Sequence, residues 1–223
     1  SGLAVGGTVM IAQFIGAQKQ EEVKHTIGTM FTLYAIAGVV MTAVMLLLNR
    51  HILTLLNMPE QSFDATLAYL NICMGGTIFT FGYNAVSAVL RGMGDSRHPL
   101  IFVAIATVIN IILDLLFVGP MDLGVAGAAW ATIIAQAVSF ILSIIYLRAN
   151  NFIFDFHPHS FRINKALAVK LLKIGLPTSL QGTLVSFSFM WLMRLGNDIA
   201  GIVGSSALSI AGKVNSIAIL PSI

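Results

Sequence analysis

The feature that most constrains this chain is where its charges are missing. Asp, Glu, Lys and Arg are absent, or nearly so, from five runs at about 26–48, 66–90, 98–118, 123–147 and 174–194. A helix needs roughly 20 mainly apolar residues to cross about 30 Å of hydrocarbon, and each run meets that length. The third holds a single acid, Asp114. Residues 1–16 are apolar and glycine-rich, and residues 201–223 are apolar apart from Lys213. Both read as parts of further spans, so the expectation is a piece of a longer protein, beginning inside one helix and ending inside another. No basic segment with a cleavage site precedes the first helix, which argues against a signal peptide.

Composition agrees. The chain is 57% hydrophobic and 9% charged, where a soluble domain has about 25% charged residues. Disorder requires low hydrophobicity and high charge. One cysteine, Cys73, cannot build a disulfide scaffold. A net charge of +3 is weak for a nucleic-acid binder, and no nucleic-acid partner is expected. The predicted fold class is all-α, a polytopic transmembrane helical bundle.

Basic residues in short loops orient such a bundle. Loops 17–24, 91–97 and 148–173 carry Lys19, Lys24, Arg91, Arg97, Arg148, Arg162, Lys165, Lys170 and Lys173, nine of the twelve basic residues. Loops 49–64, 119–122 and 194–200 carry only Arg50 and Arg194. The first set is assigned to the cytoplasm, with the chain in a bacterial or archaeal plasma membrane. Residues 119–122 form a tight external hairpin and 91–97 a tight internal one, with Pro99 suited to the first turn of the next helix. The segment Phe161–Lys173 reads as an amphipathic surface helix whose basic residues meet anionic headgroups. It lies in the best candidate for a linker between two bundles. Rows of small residues, Gly2 with Gly6, Gly124 with Ala128 and Thr132, and Gly127 with Ala131, are expected at helix contacts.

A carboxylate at the bilayer centre costs a few kcal/mol, so Asp114 is a candidate for an ion path or proton relay. Asn110 lies one turn earlier on the same helix face. Counted from the 119–122 hairpin, Asn110 and Thr132 sit at one depth, roughly 16–17 Å in, with Asp114 near 10 Å. Together they offer oxygen ligands to one small cation, or a carboxyl whose proton exchanges. The blander reading hydrates Asp114 at the external interface. Lys213 lines a cavity, pairs with an acid elsewhere or snorkels to an interface. Gln13, Asn84 and Gln181 are polar positions in spans, available to a substrate or to a neighbouring helix. His25, His51, His98, His157 and His159 fall at span ends or in loops, and His157 with His159 is a weak metal signal. No metal site is expected beyond a Na⁺ at Asp114, Asn110 and Thr132.

The segments Gly7–Ala17, Leu90-Arg91-Gly92-Met93-Gly94-Asp95-Ser96-Arg97, Asn110–Asp114, Leu123–Thr132 and Lys173-Ile174-Gly175-Leu176-Pro177 resemble, in order and spacing, the multidrug and toxic compound extrusion (MATE) transporters. That resemblance implies a protein of twelve helices in two six-helix bundles, from a superfamily that also contains lipid-linked oligosaccharide flippases. Residues 1–147 would then form most of the first bundle, from the end of helix 2 to helix 6. Residues 148–173 would be the cytoplasmic linker, and 174–223 would hold helices 7 and 8. In prokaryotic members the pattern of a first-bundle cation site matches Asn110, Asp114 and Thr132, and an Asp on the absent helix 1 would complete it.

The expected function is secondary active efflux of amphipathic, often cationic, drug-like compounds in exchange for Na⁺ or H⁺ by alternating access, with no cofactor and as a monomer in the lipid bilayer. A flippase of the same superfamily is the alternative, disfavoured because the first-bundle spans carry no basic residue. A membrane-embedded enzyme would need a nucleophile–base pair or metal ligands within a span. No GxSxG or HExxH motif occurs, so no enzyme is expected. Composition leaves a passive channel open.

Overall fold

A computed structural model describes residues 2–55, 60–149, 153–154 and 160–219, with side chains at 2–54, 63–149, 153, 154, 160–196, 209, 211 and 212. Its elements are helices: α1 (Gly2–Gly16), α2 (Gln20–Leu55), α3 (Glu60–Gly92), α4 (Arg97–Val118), α5 (Gly124–Ala149) and α6 (Lys165–Ile219). There is no strand among the described residues. In hydrocarbon a helix answers every backbone N–H and C=O within its own segment. Four helices are long and apolar enough to span a membrane: Gln20–Thr54, Phe63–Gly92, Arg97–Val118 and Gly124–Ala149.

Helices overshoot the charge-free runs. The loop expected at 49–64 gives way to α2 as far as Leu55 and α3 from Glu60. Charge marks where hydrocarbon ends, and the backbone continues to bond helically in the polar layer beyond. Asn49, buried near the end of α2, hydrogen-bonds Asn71 on α3 through its amide. Such a bond holds helices together where apolar contact has no driving force.

The chain splits into two compact units, Ser1–Gly175 and Leu176–Ile223. In the first, α3 packs most extensively on α5, α4 packs on α5, α2 on α3, and α1 on α2 and α3, while α3 and α4 barely meet. The buried face of α5 is made of small residues, among them Gly127, Ala129, Ala131, Ala135, Ser139 and Ser143. A Cβ added to Gly82 of α3 would stand 2.6 Å from the Phe140 ring. The Gly2 and Gly6 row works against the start of α6: a Cβ on Gly6 would lie 2.8 Å from the Leu171 carbonyl oxygen, and one on Gly175 2.9 Å from that of Gly2. Thr8 of α1 donates its hydroxyl to the Ala88 carbonyl of α3 at 2.9 Å.

The amphipathic segment expected at 161–173 becomes helical at Lys165, where the Asn164 side-chain oxygen accepts the N–H groups of Ala166 at 3.0 Å and Leu167 at 3.4 Å. Its apolar stripe, Leu167, Ala168 and Leu171, does not face lipid. All three are buried, Leu167 and Leu171 in the core with Ile11, Ile27 and Met30, leaving Lys165, Lys170 and Lys173 exposed. Ahead of it, residues 160–164 lie as a strap over the start of α2. Thr29 accepts the Asn164 N–H at 3.2 Å and shares its hydroxyl proton between the His25 carbonyl at 2.8 Å and the Arg162 carbonyl at 3.4 Å.

The α3–α4 turn is fixed by a cluster that sequence reasoning missed. Gly94 adopts φ +90°, and Asp95 N–H returns to the Leu90 carbonyl at 2.9 Å. The Asp95 carboxylate accepts the His98 backbone N–H at 3.1 Å, meets the His98 Nδ1 at 2.7 Å and accepts the Tyr146 hydroxyl at 3.0 Å. The His98 ring stacks on Tyr146 with centroids 4.1 Å apart. Asp95 thus caps α4 and ties it to the end of α5. Burial works against its charge. The backbone N–H, the imidazole and the phenol outweigh that and hold the carboxyl below its ordinary value of 3.8. At the other end, Asp122 (φ +49°) and Gly124 (φ +53°) make the left-handed turn into α5.

The second unit doubles back within α6. Ser209 Oγ lies 3.8 Å from Met193 Sδ, and a Cβ on Gly212 would stand 3.3 Å from Phe189. At 1.5 Å per residue a straight helix would hold such pairs roughly 24 Å and 35 Å apart. Residues 194–200, expected as an external loop, stay helical.

Two outcomes test this architecture. Gly6→Leu should lower the melting temperature of the purified protein, because overpacking costs about 1–3 kcal/mol. Val5→Leu, on an exposed position, should leave it unchanged. The depressed Asp95 carboxyl contributes stability that is fully present above about 3.8 and is lost as pH falls through its lower folded-state value. A melting series from pH 6 to pH 3 should therefore decline less steeply for Asp95→Asn, from a lower starting point, than for the wild type.

Candidate functional site

Because α3 and α4 both lean on α5 and scarcely on each other, a cleft opens between them. It holds a cavity of about 280 Å³. From α3 come Thr80, Tyr83 and Asn84, from α4 Ala106, Thr107 and Asn110, and from α5 Thr132, Ala135, Gln136 and Ser139. Asn110 and Thr132, placed at one depth by residue counting, face the same space. Asn84 joins them.

Most of these polar groups spend their donors on their own helices. Thr132 Oγ1 donates to the Ala128 carbonyl at 2.9 Å, Thr107 Oγ1 to Val103 at 2.8 Å, and Asn84 Nδ2 to Thr80 at 2.7 Å. Tyr83 donates its hydroxyl to the Pro99 carbonyl at 2.8 Å. Side-chain oxygens of Thr132, Thr107 and Asn84 keep lone pairs free to accept. Three buried atoms have no hydrogen-bond partner among the described residues: Asn110 Nδ2, Ser139 Oγ and Asp114 Oδ1. An unsatisfied buried polar group costs about 1–3 kcal/mol, more when charged. Asn110 and Ser139 line the cavity. Asp114 lies one turn beyond Asn110, outside the lining. Its carboxylate is within electrostatic reach of the Tyr69 hydroxyl on α3.

Chemically, this is an oxygen-rich wall with one carboxylate a helical turn beyond it. It suits a hard monovalent cation or a transferable proton, and it offers no nucleophile–base pair. Of the other polar positions, Gln13 is exposed on α1 and Gln181 is exposed in the second unit, and neither lines the cavity. The side chain of Lys213 lies outside the described residues, as do His157 and His159. His25 and His51 are exposed at the two ends of α2.

Sequence reasoning missed Thr80, Tyr83, Thr107, Gln136 and Ser139. The signal was helical spacing: Gln136 and Ser139 stand four and seven residues beyond Thr132, and Thr107 three before Asn110. Which polar row faces inward follows only from the neighbours each helix finds.

The fold is shared with known proteins. A family model described as MatE matches residues 1–116, a stretch containing Asn110 and Asp114. A probable multidrug resistance protein of Bacillus subtilis, YoeA, is 32% identical over 229 residues, covering 97% of this chain and 48% of that protein. The probable multidrug resistance protein NorM of Thermotoga maritima is 28% identical, covering 98% and 48%. A crystal structure of MATE in the bent conformation superposes with a TM-score of 0.92 at 24% identity, over 99% of this chain and 49% of that one. The chain spans about half the length of the curated relatives it matches. With its helical bundle, its spans and the residues matched, the chain belongs to the MatE family.

Proposed function

We propose that this chain forms part of a secondary active exporter of amphipathic, drug-like compounds, driven by Na⁺ or H⁺. The carrying observation is the Asp114 carboxylate. It is the one acid in its span, with an oxygen left unpartnered one turn beyond Asn110, whose own unpartnered amide lines a polar cavity. A group that costs stability where it stands is best explained by the ligand it receives. The multidrug names of the relatives support the substrate class, and they do not favour a flippase.

A cation or proton arriving at Asp114 neutralises that charge. It then stabilises whichever bundle arrangement buries the site more completely, and shifts the equilibrium only by its differential affinity. Export of the compound accompanies the return. Alternating access of this kind needs two bundles rocking about a central cavity, so the activity belongs to the longer protein. In this reading it acts as a monomer in the plasma membrane, with loops 17–24, 91–97 and 148–173 facing the cytoplasm.

The test uses cells expressing the full-length gene and loaded with a fluorescent cationic dye. Imposed Na⁺ and pH gradients are compared in separate arms to identify the ion. Asp114→Asn should abolish gradient-driven efflux, and efflux undiminished in that variant refutes the assignment. The purified variant should melt at or above the wild type, since the charge on a carboxylate with an unpartnered buried oxygen is removed at nearly constant shape. Added Na⁺ should raise the melting temperature of the wild type and leave that of Asp114→Asn unmoved.

A further inference from the structure

A second cavity lies on the far side of α3 from the polar one and has the opposite character. It is about 440 Å³ in volume, a size common for small-molecule sites. Six aromatic rings wall it: Phe31 and Tyr34 of α2, Phe79 and Phe81 of α3, Phe140 of α5, and Phe161 of the strap. Phe79 and Phe140 have centroids 6.5 Å apart, Tyr34 and Phe81 6.0 Å, and Phe31 and Phe161 6.2 Å. Little in these walls would hydrogen-bond a polar ligand. An occupant is therefore an apolar chain or ring.

The charge at its mouth says what the occupant carries. Phe161 closes the end of the groove, and the next residue, Arg162, is exposed, as is Lys165 at the first position of α6. The strap is held in place by the two Thr29 hydrogen bonds and by Phe154, whose ring meets Phe161 edge-on at 5.5 Å. This is the basic end of the bundle, where α2 begins and α3 and α5 end. An apolar slot running between spans, with exposed basic residues following Phe161 in the chain, matches a molecule with an acyl chain and an anionic head. It does not match a cationic compound.

The geometry points to a site for an anionic phospholipid, its acyl chain in the aromatic groove and its phosphate against Arg162 and Lys165. Juxtamembrane basic residues attract anionic headgroups individually, and here a preformed slot beside them supplies selectivity over bulk lipid. The site is separate from the Asp114 cavity and serves the fold rather than the cargo.

The experiment uses the full-length protein, delipidated in detergent and titrated with phosphatidylglycerol or phosphatidylcholine. Melting temperature is read, together with lipid retained in native mass spectrometry. Phosphatidylglycerol should raise the melting temperature saturably and be retained at one molecule per protein, with phosphatidylcholine weaker. The Arg162→Ala, Lys165→Ala double variant should bind phosphatidylglycerol about tenfold more weakly. Ala35→Phe fills the slot from an exposed position. It should lose retention while its lipid-free melting temperature stays at the wild-type value, which separates loss of the site from loss of the fold. Equal binding of the two lipids, or unchanged phosphatidylglycerol binding in both variants, overturns the proposal.

Discussion

Lipid tails are as apolar as leucine, so helices in a membrane gain nothing by hiding apolar surface from them. Close approach has to hold the bundle together, and the rest of this structure depends on where close approach is allowed. α5 allows it along a face of glycine, alanine and serine. α3 and α4 each take that face. α1 meets the start of α6 through Gly6 and Gly175, where backbones nearly touch. Large apolar side chains such as Leu100, Leu115 and Ile112 of α4 are left pointing outward.

Two consequences follow from the shared use of α5. Helices that lean on a third helix without meeting each other leave a cleft, and the polar rows of α3, α4 and α5 line it. Such rows would be expensive facing hydrocarbon. Within the cleft they are partly satisfied by their own helix carbonyls and partly left open. On the opposite side of α3, the same arrangement leaves an aromatic groove whose end is closed by the strap. One helix thus separates a polar cavity from an apolar one. Asn110, one turn from the acid, lines the polar side, and Phe161 of the strap lines the apolar side.

Much of this was legible in the residues. Charge-free runs located the spans, because hydrocarbon excludes charge. Residue counting put Asn110 and Thr132 at equal depth, because the helical rise is fixed and the 119–122 hairpin is short. Asp114 stood out because nothing else acidic shares its span. The helix ends were less legible: α2 runs on to Leu55 because backbone bonding outlasts the apolar run. The Asp95, His98 and Tyr146 cluster joins residues about fifty positions apart and had no local signature.

The sequence by itself determined the class of fold, the four spans from Gln20 to Ala149 and the isolation of Asp114, since each follows from what a residue costs in hydrocarbon. Tertiary structure alone decided which way each amphipathic face turns. The stripe of Leu167, Ala168 and Leu171 reads equally well as lipid-facing or core-facing, and the gap left by Gly2 and Gly6 settles it in favour of the core. It likewise decided that Asn84 joins Asn110 while Gln13 does not. The reason is the same in both cases. The cost of placing a group in a membrane depends on its own chemistry, but the identity of its neighbour depends on the packing of the other helices.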